Sequence, residues 1–199
     1  FEFLEELSFE AGKVAQKINR DSWNTTGAAW KTKKAGPNRM PRYVAALPRH
    51  EFEAALKEKG FNYSELSNPE KIVEKGATYQ QCIEVAIKLT REAYSMKNAP
   101  TPSEETLQYF EEVGIPIISD DGKCLICLGQ LDFDDFNVAR VGTALIVTAH
   151  ANPRIHTIEN VGFAHHTCNV AQGNRSLSEF YDWMLDILYR VGYVQRSSE

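Results

Sequence analysis

Two pairs of potential metal ligands with the same spacing constrain the fold of this chain more than any other feature. The first pair is Cys124-x-x-Cys127 and the second is His165-x-x-Cys168. Together they supply the four thiolate and imidazole ligands that tetrahedral zinc prefers. With no coordination position left open, such a site would be structural and would join an early loop to a later helix. His166 is an alternative to His165, and the sequence leaves that choice open.

The remaining cysteine and the chain length agree with a metal site rather than with disulfides. The chain has 199 residues and four cysteines, and it shows no secretion signal, so a disulfide framework is not expected. Cys82 lies in an apolar run of helical spacing, which indicates a buried small side chain. Because no apolar run approaches the roughly 20 residues that span a bilayer, we expect a cytoplasmic protein without a membrane partner.

The residues around the second ligand pair predict a strand, a loop, a second strand and a helix. Residues 143–148 have strand-like composition and end at Ala149 and His150, and residues 161–164 form a second short strand. The helix that follows is predicted to end at Gly173.

A last helix is predicted after a capping box formed by Ser176 and Glu179. Its apolar stripe predicts packing against the body of the protein. The stripe consists of Phe180, Met184, Ile187, Leu188 and Val191.

The first half of the chain is predicted to be mostly helical. Apolar periodicity predicts helices in residues 1–20, 50–60, 78–97 and 103–114. We therefore expect an α+β fold with two parts. A helical region over 1–117 contains a basic segment at 22–49, and a zinc-bound module with a C-terminal helix covers 118–199.

Positive charge is concentrated near the start of the chain. The net charge of −5 argues against a protein that coats nucleic acid by bulk charge. However, residues 1–50 carry nine basic and five acidic groups, which leaves −9 for the rest. The segment is either a surface that meets a polyanion or a solvated basic loop, and its aromatic side chains could stack on bases or anchor the loop. Its candidate DNA contacts are Lys31, Lys33, Lys34, Arg39 and Arg42.

The order of residues after the first ligand pair resembles the zinc-bearing form of the HNH, or ββα-metal, endonuclease family. His150 ends a strand, Asn160 stands five residues before His165, and Cys168 is followed directly by Asn169 and later by Gly173. The resemblance covers about residues 122–176 and does not extend to the first hundred.

The resemblance implies a role for each matching residue. His150 would be the general base that takes a proton from the attacking water. Asn169 would bind a single divalent cation, Mg²⁺ or a similar ion, at the scissile phosphate. Asn160 would hold the loop between the strands so that His150 points at the phosphate. Arg154 and Arg175 are further candidates for phosphate contacts.

One position departs from the family pattern, because Ala149 stands where an acidic metal ligand usually precedes the histidine. Three explanations are open. The chain is an inactivated variant, or the module is naturally inert and only binds DNA, or the metal uses other ligands. Those other ligands would be His156, His166, Asp132, Asp134 or Asp135.

The function expected from the resemblance is metal-dependent hydrolysis of duplex DNA by a type II restriction-like endonuclease. Cutting both strands at a symmetric site needs two active sites, so we expect a homodimer. Two alternatives remain: a zinc-stabilised DNA-binding module without nuclease activity, and a monomeric nicking or homing-type HNH nuclease.

Overall fold

The computed structural model describes residues 2–25, 40–66, 68–140 and 143–195. Eight helices and four short strands lie in these ranges, and the predicted α+β fold is confirmed. The helices are α1 (Glu2–Trp23), α2 (Arg42–Ala45), α3 (Arg49–Glu58), α4 (Pro69–Val73), α5 (Tyr79–Tyr94), α6 (Glu104–Glu112), α7 (His166–Gln172) and α8 (Leu177–Arg190). The strands are β1 (Ala139–Arg140), β2 (Thr143–Ala144), β3 (Ile146–His150) and β4 (Val161–His165).

Local sequence signals set the ends of the central helices. Thr78 and Gln81 form a capping box that satisfies backbone N–H groups at the start of α5. Ser103 accepts a hydrogen bond from the backbone of Thr106 at the start of α6. Gly60 lies just beyond α3 with a φ of 78°, a left-handed conformation that glycine adopts without strain. The predicted helices in these regions are therefore confirmed.

A single large core joins the two predicted regions of the chain. Helix α1 packs on α5, and Ile18 and Leu89 from these helices share the core with Phe163 of β4. A smaller core lies under α2, α3 and α4. The large core thus contains residues from both sides of the predicted boundary at 117.

Strands β3 and β4 form an antiparallel pair that runs directly into α7. Ile146 lies opposite His165, and His150 opposite Val161. The predicted single strand over 143–148 is wrong in detail, because residues 143–144 pair with β1 while β3 pairs with β4.

The edge of β4 that faces away from β3 forms hydrogen bonds with α5 and with the first cysteine loop. The backbone N–H of Phe163 donates to the Glu92 carboxylate at 3.1 Å, and its carbonyl accepts from Leu125 at 2.8 Å. Lys88 donates to the carbonyl of Val161 at 2.6 Å. Helix α5 and the first cysteine loop therefore hold the strand pair in place.

The stripe of α8 was predicted to pack against the body of the protein, and this prediction is wrong at Met184 and Val191, whereas Ile187 and Leu188 are partly buried. Phe180 is buried, but Met184 is 39% exposed and Val191 is 61% exposed. Among the described residues of α8, the first turn alone contacts the large core, through Leu177 and Phe180. None of the helices in the described part of the chain combines the length and apolar composition that a membrane crossing requires.

Candidate metal centre and active-site cleft

The two predicted ligand pairs come together in space. The ligand atoms of Cys124, Cys127, His165 and Cys168 all lie within 4.8 Å of one another. Nδ1 of His165 is 3.4 Å from the sulfur of Cys127 and 3.8 Å from that of Cys168. Four soft ligands at this separation fit tetrahedral zinc, with bonds of about 2.0–2.3 Å. The cluster contains His165 and not His166.

A tight backbone turn presents the first pair of ligands. The N–H of Cys124 donates to the carbonyl of Gly129 at 2.7 Å, and Leu128 donates back to Cys124 at 2.9 Å. The second pair lies where β4 ends and α7 begins. Tyr181 of α8 donates to the carbonyl of Ile126 and closes the cluster from the other side. A zinc ion here would join the loop, the strand pair and α7.

A cleft of about 390 Å³ lies between the N-terminal helices and the strand pair. Side chains from α1, α2, the turn after α4, β3, the β3–β4 loop and α7 line it. The lining residues that matter for chemistry are Asp21, Arg42, Lys75, His150, Arg154 and Asn169.

The geometry of two histidines fixes the position of the proton on His150. Nε2 of His156 lies 3.0 Å from the carbonyl oxygen of Ser22, which can only accept, so Nε2 carries the proton. In neutral His156, Nδ1 is then an acceptor, and Nε2 of His150 donates to it at 3.1 Å. The lone pair of His150 is therefore on Nδ1.

Both histidines are neutral near pH 7. Burial, with the positive charges of Arg42 and Lys75, lowers the pKa of His150 to about 3. Burial and the charge of Arg42 lower the pKa of His156 to about 2. A neutral imidazole has the free lone pair that a general base needs, and the negative charge of a bound phosphodiester would raise the pKa of His150 toward neutrality.

Asn160 closes the loop that carries His156. Its side-chain oxygen accepts from the N–H of Asn152 at 2.7 Å, and its Nδ2 donates to the carbonyls of Asn152, at 2.8 Å, and Ile155. Sequence reasoning missed a second buried amide, Gln172. Its Nε2 donates to the carbonyl of His150 at 2.9 Å and fixes the end of β3 to α7. A lone glutamine in a helix carries no signal that would have identified it.

The predicted DNA contacts fall in different places. Lys31, Lys33, Lys34 and Arg39 lie outside the described residues. Arg154 is exposed at the cleft, and Arg175 stacks on Trp183 at 4.4 Å from the ring centre. Arg42 is only 2% exposed. It lines the cleft instead of an outer surface and donates to the carbonyl of Lys75 at 2.9 Å.

Two aromatic side chains of the basic segment, Trp23 and Tyr43, contact Tyr79 of α5. The rings of Trp23 and Tyr79 are 4.8 Å apart, and Tyr43 lies 6.3 Å from Tyr79. These contacts support the alternative in which the aromatics anchor the segment.

Asp21 and Lys75 are charged cleft residues that were not found from the sequence, and so is Arg20 next to Asp21. Burial acts to raise the pKa of Asp21, but the hydrogen bond from Arg20 and the charges of Lys17 and Arg20 lower it to about 2. Lys75 is held beside Arg42 by contacts between distant segments. No local pattern marks these residues, since they reach the cleft through tertiary packing.

The described cleft residues do not by themselves fit a divalent cation. Ala149 is 1% exposed, packs in the core and is absent from the cleft lining. Among the described residues of the lining, Asp21 is the single carboxylate, and it accepts from Lys17 and Arg20. Magnesium and calcium need several oxygen ligands. Four cationic side chains line the same space, namely Arg20, Arg42, Lys75 and Arg154.

The alternative metal ligands considered for the Ala149 position do not supply the missing oxygen. His156 is engaged with His150 and Ser22. His166 does not line the cleft. Neither do the three aspartates Asp132, Asp134 and Asp135.

Comparison with known proteins places the chain in a family. Residues 1–168 match the sequence model of the DraIII family, which is restriction-endonuclease-like. The chain is also similar to a solved protein described as "Crystal structure of a type II restriction endonuclease". The sequences are 41% identical, the TM-score is 0.78, and the match covers 98% of this chain and 88% of that one. The protein therefore belongs to the DraIII family. No curated protein matches it significantly.

Proposed function

We propose that the protein is a type II restriction-like endonuclease of HNH type that hydrolyses phosphodiester bonds of duplex DNA. The observation that carries the proposal is the position of His150. It ends β3 inside a cationic cleft, on the same lining as Asn169 of α7, and its Nδ1 holds the lone pair. Membership of the DraIII family and the similarity to a type II restriction endonuclease support the same activity.

In the proposed reaction, Nδ1 of His150 takes a proton from a water molecule as its oxygen attacks phosphorus. The bond to the leaving 3′ oxygen breaks, and that oxygen takes a proton from solvent. His156 keeps the other nitrogen of His150 protonated and aims the ring. Asn160 acts on His150 indirectly, because its amide holds the loop that carries His156.

The proposal includes two metals, and the described residues supply a complete ligand set for zinc but not for Mg²⁺. Zinc, bound by Cys124, Cys127, His165 and Cys168, would stabilise the module without entering the reaction. For Mg²⁺, Asn169 is the one predicted ligand on the cleft lining that offers an oxygen, and the described cleft residues do not complete its coordination. When bound, Mg²⁺ would add positive charge near the phosphate, but the steps above do not depend on it.

The proposed partners are duplex DNA and a second copy of the chain. The basic residues Lys31, Lys33, Lys34 and Arg39 would contact the DNA, together with Arg154 and Arg175. A homodimer would place one cleft on each strand of a symmetric site. Sedimentation of the protein on DNA separates this arrangement from the monomeric nicking alternative.

Cleavage of mixed-sequence plasmid and phage DNA, methylated and unmethylated, tests the activity directly. We expect discrete fragments from the native chain and a loss of about 10²–10⁴-fold in rate for His150→Ala, the range for a general base. His50→Ala is the matched control, because His50 is exposed on α3. Equal rates for His150→Ala and the native chain would refute the proposed base.

A second candidate function has one specific observation in its favour. Because Ala149 contributes no carboxylate, the module could bind duplex DNA without cutting it. A gel shift on DNA that stays intact with Mg²⁺, Mn²⁺ and Ca²⁺ would favour this function over the endonuclease.

A further inference from the structure

The cleft contains two cationic side chains, Arg42 and Lys75, that the HNH pattern does not include. Arg42 is almost fully buried, and Lys75 is partly buried. Both face the cleft that holds His150, and both are close enough for their charges to lower its pKa.

Lys75 is fixed beside Arg42 by three contacts with α2. Arg42 donates to the carbonyl of Lys75 at 2.9 Å, and the N–H of Ala77 donates to the carbonyl of Arg42 at 3.2 Å. Between them, Gly76 lies so close to α2 that a Cβ atom would be 2.8 Å from the backbone nitrogen of Ala46. Only glycine permits this approach, so the close packing of Gly76 on α2 fixes the position of the neighbouring Lys75.

The positive charges of Arg42 and Lys75 lie in the same cleft and repel each other. Burial first, and then the charges of Arg42 and Lys71, lower the pKa of Lys75, while the charge of Glu74 acts in the opposite direction. Among the described residues, no carboxylate forms an ion pair with Lys75. Asp21, the carboxylate of the cleft, is engaged by Lys17 and Arg20. A ligand that brings negative charge would relieve this repulsion.

We propose that Lys75 and Arg42 bind the scissile phosphodiester beside His150 and supply the positive charge that the HNH pattern obtains from a metal ion held by an acidic ligand. A guanidinium can bind two phosphate oxygens at once, whereas an ammonium acts as a compact point charge. The pair stabilises charge that grows on phosphorus-bound oxygens as water attacks. This inference rests on the proposed nuclease function and names the groups that hold its substrate.

The first test is DNA binding without divalent cations, which does not require cleavage. In EDTA, we measure the Kd of a fluorescent 30-base-pair duplex of mixed sequence at several NaCl concentrations. Lys75→Met should weaken binding and reduce the salt slope by about 1, the effect of losing one phosphate contact. Lys59→Met is the control, because Lys59 is exposed at the end of α3 and away from the cleft. It should leave both quantities unchanged.

The second test separates binding from the chemical step. Single-turnover cleavage by Lys75→Met should fall by about 10²–10³-fold, as for removal of one transition-state donor, and Lys75→Arg should recover most of it. Arg42→Lys, which keeps the buried charge, should bind duplex but cleave more slowly. Thermal melting of each variant checks that it is folded.

The outcomes distinguish this inference from the proposed function. If the native chain cleaves DNA while Lys75→Met matches it in Kd, salt slope and rate, the phosphate site is refuted and the nuclease stands. If the native chain binds but never cleaves, a lower salt slope for Lys75→Met still supports the phosphate site. An inorganic phosphate titration should displace the duplex only weakly, and strong displacement would instead indicate a site for free phosphate.

Discussion

The Cys3His cluster and the cleft are assembled in different ways. All four cluster ligands lie between residues 124 and 168, in one module. The cleft brings Asp21 of α1 and Lys75 of the N-terminal region against His150 and Asn169 of the module. A metal ion bound by the cluster would therefore stabilise one module. The cleft, by contrast, forms only when the helical region and the strand pair are docked.

One contact between the two regions also orients the proposed base. His156 bonds to the Ser22 carbonyl at the end of α1, so α1 sets the proton position on His150. Damage to the cluster should abolish the module, while damage to the cleft should change chemistry in a protein that stays folded. Four predictions test this division.

Loss of zinc should have the largest effect. Structural zinc sites contribute about 10–16 kcal/mol of apparent binding free energy, more than the stability of most domains. We expect one zinc per chain, and we expect Cys127→Ser to lose zinc and the slow hydrogen exchange of β3 and β4. Metal analysis and hydrogen exchange measure both. Cys82→Ala is the control, since Cys82 is buried far from the cluster in α5, and zinc retained by Cys127→Ser would contradict the ligand set.

A carboxylate at position 149 should destabilise the protein next most strongly. Ala149 is buried opposite Gly162, and a Cβ on Gly162 would be 3.3 Å from the Glu92 carboxylate. Cross-strand partners share a face, so Ala149→Asp would bury a second negative charge near Glu92. We expect a loss of about 3–5 kcal/mol, as for an uncompensated buried charge, without a gain in cleavage.

Ala149→Asn controls for size, because it adds a similar side chain without charge. Urea unfolding compares the two variants, and plasmid cleavage with Mg²⁺ is measured on the same samples. A stable Ala149→Asp protein with new Mg²⁺-dependent cleavage would overturn this placement and favour the inactivated-variant explanation.

Sequence reasoning succeeded where the chemistry is encoded locally. The spacing of Cys124 and Cys127 is a property of one turn. In α5 and in α8, the two residues of the capping box likewise lie within four positions of each other at the start of the same helix. The metal cluster and most element boundaries follow from such short-range patterns. The choice of His165 over His166 could not be made from the sequence, because it depends on which ring faces the cysteines where β4 becomes α7.

The rest of the site depends on contacts between distant segments. Asp21, Lys75 and Gln172 have ordinary neighbours in the sequence and gain their roles only through packing. Arg42 was predicted as a DNA contact of the basic segment, but Gly76 brings the turn after α4 against α2 and encloses it. The stripe of α8 illustrates the converse, since its periodicity indicates a helix face but not whether this chain covers that face.

Substitution of His156 should produce a moderate effect on rate. His156→Phe removes both hydrogen bonds of the ring, so His150 loses its fixed proton position, and single-turnover cleavage should fall by about 10–100-fold, part of the effect of a general base. His156→Gln should retain more activity, because its amide can accept from His150 and donate to the Ser22 carbonyl. Nitrogen-15 NMR of His150 reports the tautomer independently of cleavage. An unchanged tautomer in His156→Phe would contradict the orienting role.

Asp21 should have the smallest effect, confined to acid stability. Its folded pKa of about 2 lies below the ordinary value of 3.8. Ionised Asp21 therefore stabilises the fold above about pH 4, and this contribution disappears as the pH falls toward 2. We expect Asp21→Asn to lose about 1–2 kcal/mol at pH 7 and to show a shallower decline between pH 4 and pH 2. Urea midpoints across this range, with exposed Asp182→Asn as control, measure the difference. Parallel acid profiles for Asp21→Asn and the native chain would show that the contacts of Lys17 and Arg20 with Asp21 do not hold the helical side of the cleft.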